Sequence, residues 1–422
     1  MPRLVVIGVI WLGCSIGWWI LGSSLALRSD QSIDARGAEV FDLWGGPLHV
    51  EPARASYQVA STRSETKTVQ ENGKKAVTTT VTHPVVDVRP IPLESSRVEA
   101  DFELEPRKRG LLWFSTYAVD FSAVYAFRNP SDRVEKIRLA LSLDPTMRTY
   151  DGLVIQDGDG TPIAFEIADG TVRWSQLAEP NSEIRALVSY RTRGTDSWTY
   201  AATADGDETR NFALLATTDF PNVDFPSHSV SPTTHDASGD AWSGEWVFDS
   251  LITNSPMGIR MPQRLNPGPL ASRITLFAPV SLLFFFFVIS MMSLTSRREL
   301  HPMHYFLLGC GFFAFHLLFA YSVDHVSLIG SFLISALVSM FLVVTYVRLF
   351  VGWRFALRRI APIQLVYLVL FSASFFWDGY TGLAITIGAI LTLFAVMQRT
   401  GRVDWNELFA RRKALGPSAK PT

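Results

Sequence analysis

Five apolar runs follow one another toward the C-terminal end of the chain: Ile274–Leu294, Pro302–Val323, Ser327–Val347, Ile360–Trp377 and Gly379–Met397. A helix needs about 20 apolar residues, at a rise of about 1.5 Å each, to cross the hydrocarbon core of a bilayer. Each run has that length or nearly so, and the links between them are too short to be domains. The pattern predicts a five-helix transmembrane bundle over residues 274–398. A further uncharged stretch, Leu4–Leu27, follows Met1-Pro2-Arg3. It is longer than the h-region of a signal peptide, usually about 7–15 residues. Ser24-Leu25-Ala26 has the small residues of a cleavage site, but the length of the run favours a retained anchor over residues 1–27 and about six spans in all.

Between these blocks the period changes to two. Val98-Glu99-Ala100-Asp101-Phe102-Glu103-Leu104-Glu105 alternates apolar and acidic without a slip, which puts one face inward and one in water. Val119, Phe121, Ala123, Tyr125 and Phe127 share a face of a second strand. Ile137, Leu139, Leu141 and Leu143 do so in a third, and Ile184, Ala186, Val188 and Tyr190 in a fourth. Asn72-Gly73 and Asp169-Gly170 have hairpin composition, because a two-residue type I′ loop needs positive φ at both positions. Residues 28–273 therefore read as an all-β, antiparallel sandwich-like domain, either one large sandwich or two smaller ones. Asp30–Leu43 reads as a short amphipathic helix leaving the membrane. The stretch Thr218–Pro269, rich in Pro, Ser and Asp, reads as an ordered return loop docking the domain onto the bilayer, since its prolines disfavour a central strand. Together these give a mixed membrane protein.

Charge sets an orientation. Arg297 and Arg298 follow the first bundle run, Arg348, Arg354, Arg358 and Arg359 follow the third, and Arg399, Arg402, Arg411, Arg412 and Lys413 follow the fifth. The alternate links, Val323–Val326 and Asp378, carry no Lys or Arg. Short basic loops stay in the cytoplasm, so the C-terminus, with a basic tail over residues 399–422, is expected there and residues 28–273 on the periplasmic side of a bacterial inner membrane. Residues 28–273 hold 25 Lys and Arg against 34 Asp and Glu, and the remainder holds 13 against 5. A net-negative exported domain without a basic stripe argues against nucleic acid as a partner. The lipid bilayer is the partner the runs demand; periplasmic or cell-wall components are expected contacts of the β domain, and oligomeric state is not legible. Cys14 and Cys310, the two cysteines, both fall inside expected spans, so the exported domain must stand on its own core. Trp11-Leu12-Gly13-Cys14 is a poor lipoprotein box, because Trp and Leu fit badly before the cysteine.

Catalytic signatures are absent: no Gly-x-Ser-x-Gly elbow, no His-Glu-x-x-His, no phosphate-cradling loop and no dinucleotide fingerprint. No enzyme activity, cofactor or metal is expected. Asp157-Gly158-Asp159-Gly160 opens like a calcium loop, but Pro162 and Ile163 break the pattern and a plain turn is favoured. His228 and His235 lie in the return loop near Asp224 and Asp236, without ligand-like spacing, and read as solvated. Ionisable groups at membrane depth are costly and tend to serve a purpose, which makes His301, His304, His316, Asp324 and His325 the candidate functional polar track. His304 and His316 stand about 120° apart around one helix, with His301 between them. That spread favours two interface histidines and one internally hydrogen-bonded histidine over a continuous track.

Leu300-His301-Pro302-Met303-His304-Tyr305, Phe315-His316-Leu317-Leu318, Asp324-His325 and Thr400-Gly401-Arg402-Val403-Asp404-Trp405 resemble the CreD family of bacterial inner-membrane proteins. Trp44-Gly45-Gly46-Pro47-Leu48 is similar to that family's entry motif, and Arg107-Lys108-Arg109-Gly110-Leu111 to its Arg-x-x-Gly-aliphatic stretch. The resemblance implies an N-terminal anchor, a large periplasmic β domain, a C-terminal bundle and a role in cell envelope integrity and envelope stress. It implies no catalytic residues. The expected function is non-catalytic support of the envelope. The alternative is a small-solute or proton-coupled transporter using the intramembrane histidines. A membrane-embedded enzyme acting on lipid-linked sugars ranks last, since the outer links offer only Asp324 and Asp378 as acids.

Overall fold

A computed structural model of the chain describes residues 2–69, 77–110, 112–203, 208–295, 300–377 and 379–401. The Asn72-Gly73 hairpin, Asp378, Arg297, Arg298 and the tail beyond Gly401 lie outside them. The chain divides into two compact units, one formed by Met1–Asp34 with Leu265–Thr422 and the other by Ala35–Arg264.

Among the described residues, six helices are long and apolar enough to cross a membrane. Helix α1 (Pro2–Trp44) is continuous over 43 residues, where the sequence suggested an anchor followed by a separate short helix. Nothing between Leu27 and Asp30 breaks its hydrogen-bond ladder, and Ser32 Oγ donates back to the Arg28 carbonyl at 2.8 Å, as a helical serine can. Helix α2 (Pro267–Thr295) starts before the expected Ile274. Pro267 and Pro269, at the end of the stretch read from sequence as a return loop, instead occupy its first turn, where no backbone N–H is needed. Helices α3 (Pro302–Ser322) and α4 (Leu328–Val351) match their apolar runs closely.

Helix α5 (Trp353–Phe376) is irregular. It widens into π turns over Ala356–Ile360 and Leu365–Leu370, on either side of Ala361–Gln364. Pro362 has no N–H for the Arg358 carbonyl four residues back, and its ring crowds that carbonyl, so the ladder must relax there. Helix α6 (Thr381–Thr400) completes the set. The bundle is packed by aromatic side chains, among them Phe285, Phe312, Phe315, Phe319 and Phe332. Where α3 meets α4, Gly311 lets the backbones approach: a Cβ there would lie 2.5 Å from Val343 Cγ2.

The β unit contains a seven-stranded sheet. Its order is Thr234–Asp236, Trp242–Leu251, Thr209–Thr218, Leu93–Leu104, Thr116–Arg128, Glu183–Thr195 and Tyr150–Gln156. A five-stranded sheet runs Glu166–Ala168, Thr171–Ala178, Glu135–Ser142, Arg54–Val69 and Val77–Ile91. The expected alternations are realised: Val98, Ala100 and Phe102 are buried while Glu99, Asp101 and Glu103 are exposed. Asp169 and Gly170 adopt φ of 51° and 68° between two antiparallel strands.

Two features of the β unit also depart from the sequence reading. Thr209–Thr218 pairs in parallel with Leu93–Leu104, since alternation encodes which face is buried but not strand direction. Within the stretch read as a return loop, Trp242–Leu251 is a ten-residue strand inside the sheet. The prolines of that stretch lie outside the strand, whose alternating Trp242, Gly244 and Trp246 face inward.

One apolar cluster draws on both large sheets, with Ile137, Leu139, Val172 and Trp174 from one and Val98, Phe121, Tyr125, Val188 and Leu214 from the other. Trp198 and Tyr200 enter from a three-stranded sheet of Leu48–Val50, Ser197–Tyr200 and Met257–Arg260. Gly258 is needed there, because any Cβ would collide with the Trp198 carbonyl.

Candidate functional site

Ser331, Ser335 and Ser339 recur every four residues on α4 and are fully buried. The period places them on one face of the helix. Ser335 Oγ donates to the Ser331 carbonyl at 2.7 Å, within the helix. Ser339 Oγ instead crosses to α3, donating to the Gly311 carbonyl at 2.7 Å. Gln364 of α5, also fully buried, donates from Nε2 to Ser339 Oγ at 3.1 Å. A chain of hydrogen bonds thus ties α3, α4 and α5 at Gly311, Ser339 and Gln364. Gln364 Oε1 has no partner among the described residues. Gln364 lies in the short α segment between the two π turns, so the loosened backbone of α5 is what presents it to α4.

His304 Nδ1 is 2.7 Å from the Tyr346 hydroxyl of α4, and its ring stacks on Phe350 with centroids 4.1 Å apart. His301 caps α3, its Nδ1 accepting from Met303 N–H at 3.3 Å. His316 is buried, with Nδ1 3.0 Å from the Phe312 carbonyl. A carbonyl can only accept, so Nδ1 carries the proton and Nε2 is a bare acceptor without a partner among the described residues. The His316 ring stands edge-on to Trp18 of α1 at 5.8 Å. Asp324 accepts from Arg28 of α1 at 2.8 Å, and that guanidinium also reaches the Ala320 carbonyl at 3.3 Å. His325 is exposed. Each of these groups has its own surroundings, and no side-chain hydrogen bond joins any two of the five among the described residues. What they share is the joining of helices: α3 to α4 through His304, and α1 to the α3 end through Arg28.

The serine period was present in the sequence as i, i+4, i+8, and Gln364 stood out as an amide inside an apolar run. Both escaped a search built on ionisable groups. The partners of His304, Asp324 and Gln364 are remote in sequence and carry no local signal.

In the β unit, Asp101, Asp120, Arg191 and Asp151 stand in register across four adjacent strands. Arg191 bridges Asp120 at 2.7 Å and Glu103 at 2.8 Å. Thr217 Oγ1 donates to Asp101. The Asp101 carboxyl is pushed up from its ordinary value, first by desolvation and then by Glu99 and by Asp120, its direct cross-strand partner. Elsewhere in this unit Trp44 lies between two guanidiniums, with Arg107 at 4.3 Å and Arg193 at 4.8 Å from its ring. Trp44 and Arg107, from two of the stretches singled out in the sequence, therefore meet. His228 and His235 are exposed, and no group of His, Cys, Asp or Glu suited to a metal occurs among the described residues. Asp157 Oδ1 accepts from the N–H groups of Asp159 and Thr161, the pattern of a closed turn.

Residues 234–406 match the family profile described as "Inner membrane protein CreD". Over that stretch the chain is similar to the CreD inner-membrane family. The match spans the five C-terminal helices that hold the serine and histidine contacts, and it begins within the β unit. No curated protein matches. Among solved structures, a candidate nutrient binding protein from Legionella pneumophila is similar at 11% identity and a TM-score of 0.31, over 46% of this chain and 71% of that one. An M1 zinc metallopeptidase from Deinococcus radiodurans is similar at 10% identity and a TM-score of 0.27, over 41% of this chain and 42% of that one. Likenesses this distant carry nothing about function.

Two outcomes follow. Replacing Ser339 by Ala strands the buried Gln364 Nε2, at a cost of about 1–3 kcal/mol. The thermal midpoint of the detergent-solubilised protein should fall, and adding Gln364→Leu should recover part of the loss, because removing both partners is far cheaper than stranding one. The raised Asp101 carboxyl holds its proton more tightly folded than unfolded. Its contribution to stability is therefore present below the unfolded value and lost as pH rises through the folded one. Asp101→Asn should raise the midpoint of the β unit's transition at neutral pH and leave it unchanged near pH 3, where both forms are protonated.

Proposed function

We propose that this chain is a non-catalytic inner-membrane protein supporting the cell envelope. Its β-rich unit lies on the periplasmic side against envelope components, and its C-terminus is cytoplasmic. The observation that carries this reading is the joining, in one chain, of a CreD-like inner-membrane region to a large β unit inserted between the first and second spans. A segment between two spans lies wholly on one face of the bilayer.

The charges of the links bear on which face. Arg354 and the pair Arg358-Arg359 mark the α4–α5 end, and Arg399 the end of α6, while the α3–α4 turn carries Asp324 and His325. Basic links stay inside, which sends the β unit outside. Its cluster of buried side chains shared by a five- and a seven-stranded sheet supports a sandwich-like build. Its polar sheet face, with Asp101, Asp120, Asp151 and Arg191, suits contact with charged envelope material better than burial.

A reporter enzyme that works only outside the cytoplasm tests the placement. Fused after Thr253, inside the β unit, it should be active; fused after Arg359 or Gly401 it should be silent. Activity after Arg359 would reverse the orientation. Turnover of a lipid-linked wall precursor by the purified full chain would remove the non-catalytic reading.

A further inference from the structure

Beyond this role, we infer that the membrane unit holds an anionic glycerophospholipid in a specific groove between α2, α5 and α6. The groove has a volume of about 360 Å³, within the range of sites that hold small ligands. Its walls are aliphatic, including Val288, Ile363, Val366 and Val396. One end is different in kind: Arg358 and Arg359 from the first π turn of α5 and Arg399 from the last turn of α6 all line it. No carboxylate lines it, and none of the three guanidiniums has an ion-pair partner among the described residues.

The floor is closed by hydrogen bonds. The Tyr367 hydroxyl of α5 is 2.6 Å from Thr392 Oγ1 of α6, and Ser281 Oγ of α2 donates to the Tyr367 carbonyl. Tyr367 lies eight residues beyond Arg359 and Thr392 seven before Arg399, so the groove runs roughly 10–12 Å from the charges into the bundle. Three positive charges at a helix-end level and an apolar channel running inward from them match one molecule in chemistry: a phosphodiester headgroup with the upper part of an acyl chain. A soluble phosphate would satisfy the arginines and leave the aliphatic walls bare. A zwitterionic lipid would bring a cationic amine against three guanidiniums. The width of the groove follows from the irregular backbone of α5, since Pro362 itself lines it.

The full-length protein, purified in a mild detergent, is incubated with phosphatidylglycerol, phosphatidylcholine or glycerol phosphate, and retained molecules are counted by native mass spectrometry. Phosphatidylglycerol should be retained well above the other two. Arg358→Ala with Arg359→Ala and Arg399→Ala should lower its retention roughly a hundredfold, since each cationic side chain near an anionic headgroup is worth about fivefold. Ala395→Trp, which keeps the arginines and fills the groove, should abolish retention while the protein stays monodisperse. Arg354→Ala, a basic change outside the groove, should leave it intact. Equal retention of phosphatidylcholine, equal binding of glycerol phosphate, or undiminished retention in the triple variant or in Ala395→Trp would each overturn the assignment.

Discussion

Inside hydrocarbon no water is available to a lone N–H, carbonyl or hydroxyl, so leaving such a group unpaired in the spanning segments is costly. That constraint explains which residues hold the helical unit together. Apolar side chains alone do not draw helices together in a bilayer, because lipid tails are as apolar as leucine. Close approach and polar contacts do, and here they recur at the helix crossings. Gly311 brings α3 onto α4, Ser339 and Gln364 carry the contact on to α5, and Ser281 and Thr392 fasten α2 and α6 to Tyr367. The N-terminal helix is tied in the same manner, with Ser272 Oγ donating to the Gly22 carbonyl at 2.9 Å and Trp11 Nε1 to the Pro279 carbonyl at 2.8 Å.

The β unit obeys the opposite regime. It has water on its outer faces and no disulfide, since both cysteines lie in the helices, and its stability comes from area removed from water. Its buried polar groups are few and mostly paired, such as the Tyr117 hydroxyl donating to the Ser197 carbonyl at 2.8 Å. Charges such as Asp101 and Arg191 stay on the wet face. One chain thus runs two kinds of packing, and the periods of its sequence separate them.

How much of this was legible follows from what each feature depends on. The strand around Val98–Leu104 and the turn at Asp169-Gly170 are local: alternation and positive φ declare them. The apolar runs are local too, because length alone implies a span. Other features are not. The strand Trp242–Leu251 hid among flanking prolines and serines, and the parallel partner of Thr209–Thr218, Leu93–Leu104, lies far away in sequence. The α1 helix runs through Arg28–Asp34 because its polar residues can be wetted without ending it, and no composition rule marks that choice. For the candidate site, the five ionisable positions were visible, but their partners Tyr346, Phe312 and Arg28 were not. Ser331, Ser335 and Ser339 were visible as a helical period and outside the kinds of group first searched.

The N-terminal helix and the five C-terminal helices build one membrane unit, with α1 lying against α2. Ser29 and Gly268 report on it directly: a Cβ at Gly268 would lie 2.9 Å from that of Ser29. With Cys14 and Cys310 replaced by Ala, Ser29→Cys and Gly268→Cys should oxidise to an intramolecular disulfide in native membranes. After proteolysis within the β unit the two fragments should then stay joined until reduced. Fragments that separate without reductant would rule out this packing of α1 on α2.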